Sequence, residues 1–290
     1  MKFLSIASWW VTSVMKPRGR PWKLQPSSQV ILRSEVVVAA TVPHPVASPL
    51  DTLNPDLFGE VLRDFHQHLR EELHELGYDR DVEGRIHVSF ATPVNHILGT
   101  AEQVKADLIL VGSHGRHGLE QLVLGSVSES LATQSPCPVM IVGPECEVPD
   151  ERLHTVLFAT DLTDTGICAG QVAAALARKA RCRLIVLHTM RQKPTAAGRT
   201  REWEEDLLRE QMKLSVQEDG QQNAAAVEYR ITYGDPADEI LSVATGNHAG
   251  LIVVGGGNHG VVADHSPWRT LTSILRFALC PVVVVSSKCP

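Results

Sequence analysis

Residues 108–141 decide the fold of this chain, and they read LILVGSHGRHGLEQLVLGSVSESLATQSPCPVMI. The stretch opens with four consecutive apolar residues at 108–111, a pattern typical of a parallel strand that is covered on both faces. Glycines then occupy three positions where a missing Cβ lets backbone N–H groups approach a ligand: Gly112, Gly115 and Gly125. A strand that runs directly into such a loop indicates an α/β domain.

The second half of the stretch predicts a helix followed by another strand. Ser126 and Glu129 have the spacing of a capping box, so we expect the helix to begin at Ser126. A helix N-terminus carries about half a positive charge and free N–H donors, an arrangement that suits phosphate. Pro136 should end the helix, and Val139–Val142 is the next predicted strand.

The same pattern returns 143 residues later, where Gly255 takes the place of Gly112. Other segments that match at this shift are Leu108-Ile109 with Leu251-Ile252, and Cys137-Pro138-Val139 with Cys280-Pro281-Val282. Because one register holds from strand to strand, the chain contains two copies of one unit. We expect the first domain at 34–146 and the second at 150–290, joined near two prolines, Pro144 and Pro149.

Strands and helices alternate along the whole second copy. The predicted strands are 155–160, 183–189, Val227–Tyr233, 251–254 and 281–285, and the predicted helices are 170–180, 201–216 and 235–247. This order predicts an α/β fold with two tandem, doubly wound (Rossmann-like) parallel-sheet domains. Ligands are expected at the carboxyl ends of the strands.

The first copy follows the same order only from its second strand onward. Its predicted strands are 35–42 and 85–90, and its predicted helices are 57–76 and 93–104. No opening strand and helix are recognisable in residues 1–33, because 17–33 contain three prolines. We therefore treat 1–33 as an atypical N-terminal segment. Its apolar run at 3–15 lacks a small-residue cleavage site, which argues against a secretory signal.

Composition excludes several classes of protein. The net charge is −6, and residues 1–33 hold six basic and no acidic side chains, so the rest of the chain carries −12. An acidic body disfavours nucleic acid as a partner. The six cysteines lack metal-binding spacing, which favours a reducing, cytoplasmic location. No apolar run reaches the about 18 residues of a membrane span, so no membrane partner is expected.

The spacing Gly112-x-x-Gly115-x9-Gly125-Ser126 resembles the nucleotide loop of the universal stress protein family, and Cys137-Pro138-Val139 is also similar to that family. The second copy resembles a family domain from end to end. The resemblance implies a tandem universal stress protein, with ATP as ligand, alone or with Mg. It also implies that the last strands of family domains pair. The tandem chain could form such an internal pseudo-dimer by placing Val139–Val142 against Val282–Val285, and association of two chains stays open.

In this family an acidic residue after the first strand and residues ending the second strand hold adenosine, while the glycine loop holds the phosphates. Carried over to the first copy, the resemblance implies a nucleotide site formed by Thr41, Val111, Gly112, His114, Gly115, Gly125, Ser126 and Val127. Only the second copy offers the acidic residue, Asp161, and its residue at the end of the second strand is Thr189. The first copy has Ser13 or a neighbour there, if the second strands are aligned.

The loop of the second copy departs from the family pattern. At the same shift, Gly115 becomes Asn258, Gly125 becomes Trp268 and Ser126 becomes Arg269. A tryptophan would fill the space that a phosphate needs, so we expect the second copy to bind nucleotide weakly or not at all.

Other chemistries fit less well. Residues 255–260 match G-x-G-x-x-G, but they follow the fourth strand and no acid occurs after Asp264, which disfavours NAD. No lysine follows Gly125-Ser126, as a Walker loop requires. His114 and His117 lack a third ligand, so contact with phosphate is favoured over a metal site. Asp161 fits a helix N-cap as well as a ligand-binding role.

These observations predict a cytoplasmic, ATP-binding stress-response module, and the alternative is a nucleotide-free stress or scaffold protein. We predict no catalytic residues, because ATP held without a positioned acid, base or acceptor would be hydrolysed slowly at best. The chain is therefore not expected to be an enzyme.

Overall fold

The computed structural model describes residues 2–6, 35–42, 55–75, 85–113, 125–146, 153–191, 199–216, 226–256 and 267–288. The chain divides into two compact units. The first unit comprises residues 1–121 and 125–131, and the second comprises 122–124 and 132–290.

The first unit contains a parallel sheet with the strand order β3-β2-β1-β4. Its strands are β1 (Lys2–Ile6), β2 (Glu35–Thr41), β3 (Ile86–Ser89) and β4 (Leu108–Gly112). Its helices are α1 (Pro55–Glu75), α2 (Pro93–Val104) and the first part of α3 (Ser126–Gln134). The sheet and the helices between its strands confirm the predicted α/β class.

Local sequence explains the helices of the first unit. Phe65 and Leu69 lie one turn apart on α1, and both are buried against Val38 and Ile86 of the sheet. Helix α2 starts with a proline at its first turn, and its C-cap is Lys105, whose φ of 51° is in the left-handed region. The apolar face of α1 therefore holds that helix on the sheet.

The opening strand of the first unit, which was not recognised from the sequence, is present. β1 pairs in parallel with β2 on one side and with β4 on the other. It escaped recognition because no helix could be recognised between it and β2, where residues 17–33 contain three prolines. Residues 17–33, where no helix was expected, lie outside the described residues.

The strand registers also correct the alignment of the two copies. Phe3 pairs with Leu108, and Val156 pairs with the equivalent Leu251. Counting on from these pairs, the counterpart of Asp161 is Ser8, not Ser13. The connection between the first two strands is five residues longer in the first copy, which displaced an alignment made on the second strands. Ser8 itself lies outside the described residues.

The second unit contains a sheet with the strand order β5-β10-β9-β6-β7-β8. Its strands are β5 (Val139–Val142), β6 (Thr155–Ala159), β7 (Arg183–Met190), β8 (Val227–Tyr233), β9 (Leu251–Gly255) and β10 (Val282–Val285). Its helices are α4 (Asp164–Ala180), α5 (Arg199–Val216), α6 (Pro236–Gly246) and α7 (Pro267–Phe277). Apart from α7, which was not predicted, these elements follow the predicted order.

Small residues let the helices of the second unit pack closely. α4 buries several alanines, and it begins at Asp164, six residues before the predicted start, with Thr163 as its N-cap. A Cβ on Gly170 of α4 would lie 2.1 Å from the carbonyl oxygen of Ser215 on α5. Glycine is therefore required where these two helices meet.

The last strand of the first copy belongs to the sheet of the second unit. β5 pairs antiparallel with β10, and Ile141 is opposite Val282. This is the strand pairing that the family resemblance implied. The other pairs in the described part of this sheet are parallel, and the strands β6, β9 and β10 are apolar and almost fully buried, whereas the edge strand β8 is partly exposed. No helix within the described ranges is long and apolar enough to cross a membrane.

Candidate functional site

Gly125 joins the two ends of the glycine loop in the first unit. Its N–H donates to the carbonyl oxygen of Ser113 at 2.9 Å, and its own carbonyl accepts from the N–H of Glu129 at 3.0 Å. The residue whose carbonyl accepts the first helical bond is the N-cap. Gly125 is therefore the N-cap of α3, and the predicted capping box on Ser126 is wrong. Pro136 does end the helix, as predicted.

The close approach at Gly125 explains why this position is glycine. A Cβ built there would lie 3.0 Å from the carbonyl oxygen of Ser113, which is backbone and does not turn aside. Any larger residue would therefore push apart the end of β4 and the start of α3.

Ser128 fixes the orientation of α3, and sequence analysis missed it. Its side chain is buried, and its hydroxyl donates to the carbonyl oxygen of Gly112 at 2.7 Å. This bond ties the third residue of the helix to the last residue of β4. The only signal for it in the sequence is a serine three positions after a loop glycine, which is a common combination.

The predicted residues of the first unit fall into three groups. Gly112, Gly125, Ser126 and Val127 come together where β4 ends and α3 begins, and Ser126 is exposed there. Val111 and Thr41 are buried, at the carboxyl ends of β4 and β2, and β1 lies between these strands. His114 and Gly115 lie outside the described residues.

The second unit has a cleft of about 250 Å³ at the carboxyl ends of β6, β7 and β9. Strand ends supply one side of it: Thr160, Asp161, His188, Thr189, Val254 and Gly255. Arg191 and residues of α6 and α7 supply the rest, among them Pro236, Ile240, Leu271 and Ile274. The cleft lies where parallel α/β sheets bind ligands, and it is half apolar.

Asp161 lies at the mouth of this cleft and forms a local turn. Its Oδ1 accepts the N–H of Thr163 at 3.1 Å and the hydroxyl of Thr163 at 2.7 Å. The N-cap of α4 is Thr163, so the interpretation of Asp161 as an N-cap is wrong. The turn instead holds the exposed carboxylate beside the end of β6.

His188 has a defined tautomer in the cleft. Its Nδ1 lies 2.8 Å from the carbonyl oxygen of Thr160, and a carbonyl only accepts, so Nδ1 carries the proton. In the neutral ring Nε2 is then an acceptor. Thr189 is oriented in a similar way by the Thr232 hydroxyl, 3.0 Å from its own. Sequence analysis missed the role of His188 because its partner is a backbone carbonyl far along the chain.

The cysteines at the strand entries are buried core residues. Cys137 and Cys280 are both buried, and burial, followed by the neighbouring Cys146, raises the pKa of the Cys280 thiol to about 12. Such a thiol stays protonated at neutral pH and does not act as a nucleophile. Within the described part of the chain, no cluster of three metal-ligating side chains occurs.

Relatives of the chain match it over part of its length. A universal stress protein of Methanocaldococcus jannaschii is 33% identical over 87 residues, which is 30% of this chain and 51% of the relative. The stress response protein NhaX of Bacillus subtilis is 30% identical over 102 residues, 35% of this chain and 59% of the relative. The chain thus spans little more than half the length of these relatives.

Among solved structures, a universal stress protein from Archaeoglobus fulgidus is similar over 98% of both chains, with a TM-score of 0.59 and 18% sequence identity. A putative universal stress protein from Pseudomonas aeruginosa covers 98% of this chain and 92% of its own, with a TM-score of 0.56 and 17% identity. At these identities the likeness concerns the fold.

The sequence model of one family matches each copy separately. That family is described as the universal stress protein family, and the matches span residues 34–143 and 152–286. Together they cover most of the chain, in agreement with the repeat and with the α/β fold of both units. The chain belongs to the universal stress protein family, in its tandem form.

Proposed function

We propose that this chain is an ATP-binding regulatory protein of the stress response, and that the nucleotide is held at the glycine loop of the first unit. The observation that carries the proposal is the geometry at Gly125, where the end of β4 approaches the N-terminus of α3 so closely that position 125 has no room for a side chain. The first N–H groups of a helix lack partners within the helix, and they favour an anion.

The residues present fit a phosphate group. Ser126 and Val127 are the first residues of α3, so their N–H groups are donors at the helix start, and the exposed Ser126 hydroxyl adds another. The bond from Ser128 to the Gly112 carbonyl keeps this start in place before any ligand arrives. Binding therefore requires little rearrangement of the helix, which favours affinity.

In this proposal ATP is a regulatory ligand and not a substrate. Other components of the cell respond to whether ATP is bound. In the residues of the loop that are described, the groups facing a phosphate would be backbone N–H donors and a serine hydroxyl. Such groups stabilise a bound anion without activating water. Mg²⁺, where present, would be bound by the phosphates of ATP.

Isothermal titration of the full chain with ATP, with and without Mg²⁺, tests the proposal. Gly125→Val should lower the affinity about tenfold or more, because the new side chain displaces the Ser113 carbonyl from the loop. Gly99→Val is the matched control, since a Cβ at Gly99 meets nothing within 4 Å and the residue is exposed on α2. No binding at millimolar ATP by the folded chain would favour the nucleotide-free scaffold instead.

A second candidate is the binding of adenosine, without phosphates, in the cleft of the second unit. Its volume of about 250 Å³ lies at the small end for ligand pockets, and Asp161 and His188 offer acceptors there. Titration with adenosine should give binding that Asp161→Asn weakens and the exposed Asp164→Asn does not. Equal affinities of both variants would exclude Asp161 as a ligand contact.

A further inference from the structure

Two cysteines lie at one end of the antiparallel pair β5–β10. Ile141 is opposite Val282, and continuing this register by two residues sets Gly143 opposite Cys280. The N–H of Cys146 donates to the carbonyl oxygen of Gly143 at 3.3 Å, which closes a turn and returns the chain toward the same point. The fold therefore brings Cys146 and Cys280 together where β5 ends and β10 begins.

Close packing holds the turn of Cys146 against the segment that leads into β10. A Cβ built on Gly143 would collide with the carbonyl oxygen of Leu275 in the last turn of α7, so this position must be glycine. The two thiols are near enough to interact, because Cys146 is the second cause, after burial, of the raised pKa of Cys280. The pair is thus defined by its side chains as well as by its main chain.

The two cysteines differ in how easily a small molecule reaches them. Both side chains are buried, and none of the five cysteines in the described part of the chain forms a disulfide. Cys146 follows two exposed residues, Pro144 and Glu145, so the opening of a single surface turn uncovers its sulfur. Cys280 leads directly into the buried strand β10. Cys146 is therefore the first of the two to meet an oxidant.

The sequence repeats the spacing of this pair. Cys137 and Cys146 are nine positions apart, and so are Cys280 and Cys289, and the shift of 143 residues superimposes the two sets. Four of the six cysteines thus follow one pattern around the pairing of β5 with β10. Cys289 lies outside the described residues, so the inference concerns Cys146 and Cys280.

We propose that Cys146 and Cys280 form a disulfide when the protein meets a peroxide, and that this bond fastens β5 to β10. The property is separate from nucleotide binding. It makes the second unit more resistant to unfolding under oxidising conditions, when other proteins are being damaged.

The reaction takes two steps. The Cys146 sulfur first attacks one oxygen of hydrogen peroxide, the O–O bond breaks, and a sulfenic acid and one water form. The Cys280 sulfur then attacks the sulfur of Cys146, the S–S bond forms, the S–O bond breaks, and a second water leaves. Overall, two thiols lose two protons and two electrons, and the peroxide is reduced to two waters.

Proximity offsets the weak ionisation of Cys280 in the second step. At pH 7 a thiol with a pKa of about 12 is ionised to only about one part in 10⁵. Groups held side by side react as if their concentration were about 10⁵ M or more. Cys280 is therefore inert toward molecules in solution, but it can react with an oxidised sulfur beside it.

Peptide mapping of the full chain after treatment with millimolar hydrogen peroxide tests the proposal. Digestion without reduction should yield a linked peptide that contains Cys146 and Cys280 and has lost two hydrogen atoms. Cys146→Ser and Cys280→Ser should both abolish this link. Cys168→Ser, in a partly buried residue of α4, is the control and should retain it.

Thermal melts of the same samples test the effect on stability. The bond would join residues about 130 positions apart, so oxidation should raise the Tm of the wild type by about 5 °C or more, and dithiothreitol should reverse the shift. Because the serine substitutions can lower the Tm themselves, each variant is compared with its own reduced form, and neither Cys146→Ser nor Cys280→Ser should gain stability on oxidation.

Three outcomes would overturn the proposal. Both cysteines could stay reduced in millimolar peroxide, Cys146 could proceed to sulfinic acid without any link to Cys280, or the link could join two separate chains.

Discussion

The two units share a fold but keep different parts of the proposed ligand site. In the first unit, backbone geometry around Gly125 and Ser128 brings the end of β4 to the start of α3. In the second, side chains at the ends of β6 and β7 line a cleft, while Trp268 and Arg269 stand where the first copy has Gly125 and Ser126. The residues proposed to contact phosphate and those proposed to contact the base lie on different strands, so each set can change without unfolding the other.

The largest expected effect separates the stability of the two units. Gly170→Ala should destabilise the second unit by about 3 kcal/mol, because its Cβ would lie 2.1 Å from a backbone oxygen of α5. Urea unfolding followed by hydrogen exchange would assign the loss to α4 and α5. Gly246→Ala, where a Cβ meets nothing within 4 Å, should be neutral or slightly stabilising.

The Gly170→Ala chain also tests whether the two units are independent. If the units are independent, ATP binding by the Gly170→Ala chain should match that of the wild type under conditions where the first unit stays folded. If ATP binding were lost together with the folded structure of the second unit, the two units would form one cooperative structure.

Restoring the loop of the second unit should reduce the difference in ATP affinity between the two copies. Trp268→Gly/Arg269→Ser should increase the affinity of the second unit for ATP about tenfold, or about 1.4 kcal/mol, by opening the space for phosphates. Titration in the Gly125→Val background isolates the second site. An unchanged affinity would mean that other residues of the second copy, such as Asn258, prevent phosphate binding.

Removing one hydroxyl should weaken the first unit alone. Ser128→Ala deletes the 2.7 Å bond to the Gly112 carbonyl and should cost about 1 kcal/mol in the free energy of unfolding. ATP affinity should fall with it, since the start of α3 is then less firmly held. Ser242→Ala, an exposed serine on α6, provides the control and should change neither quantity.

The smallest expected effect is a response of the first unit to mild acid. Burial, followed by the neighbouring His96, lowers the pKa of His87 below its ordinary 6.5. The unfolded chain then binds a proton more readily than the folded one, so stability is kept above about pH 6.5 and is lost as the pH falls through the folded pKa. His87→Gln should flatten this dependence in thermal melts between pH 5 and 7.5. An equally steep loss in the variant would assign it to other groups.

Most of the second unit was predictable from sequence because β6, β9 and β10 are continuous apolar runs and helices of ordinary length separate its first strands, although α7 was not predicted. Tertiary contacts were harder to predict from the sequence. The bonds of Ser128 to Gly112 and of His188 to Thr160 join residues 16 and 28 positions apart, and no local pattern marks them. The first-copy counterpart of Asp161 was misplaced for a different reason. Alignment on the second strands assumes that the connections between the first two strands are equally long in both copies.

The pairing of β5 limits where the chain can be divided into fragments for separate expression. Because β5 pairs with β10, expression of residues 150–290 alone would remove a strand from the sheet and leave Val282–Val285 with an unpaired edge. An apolar edge of this kind recruits other strands and leads to aggregation. A fragment of the second unit should therefore begin ahead of Ala132, and the boundary of the repeat is a poor guide for cloning.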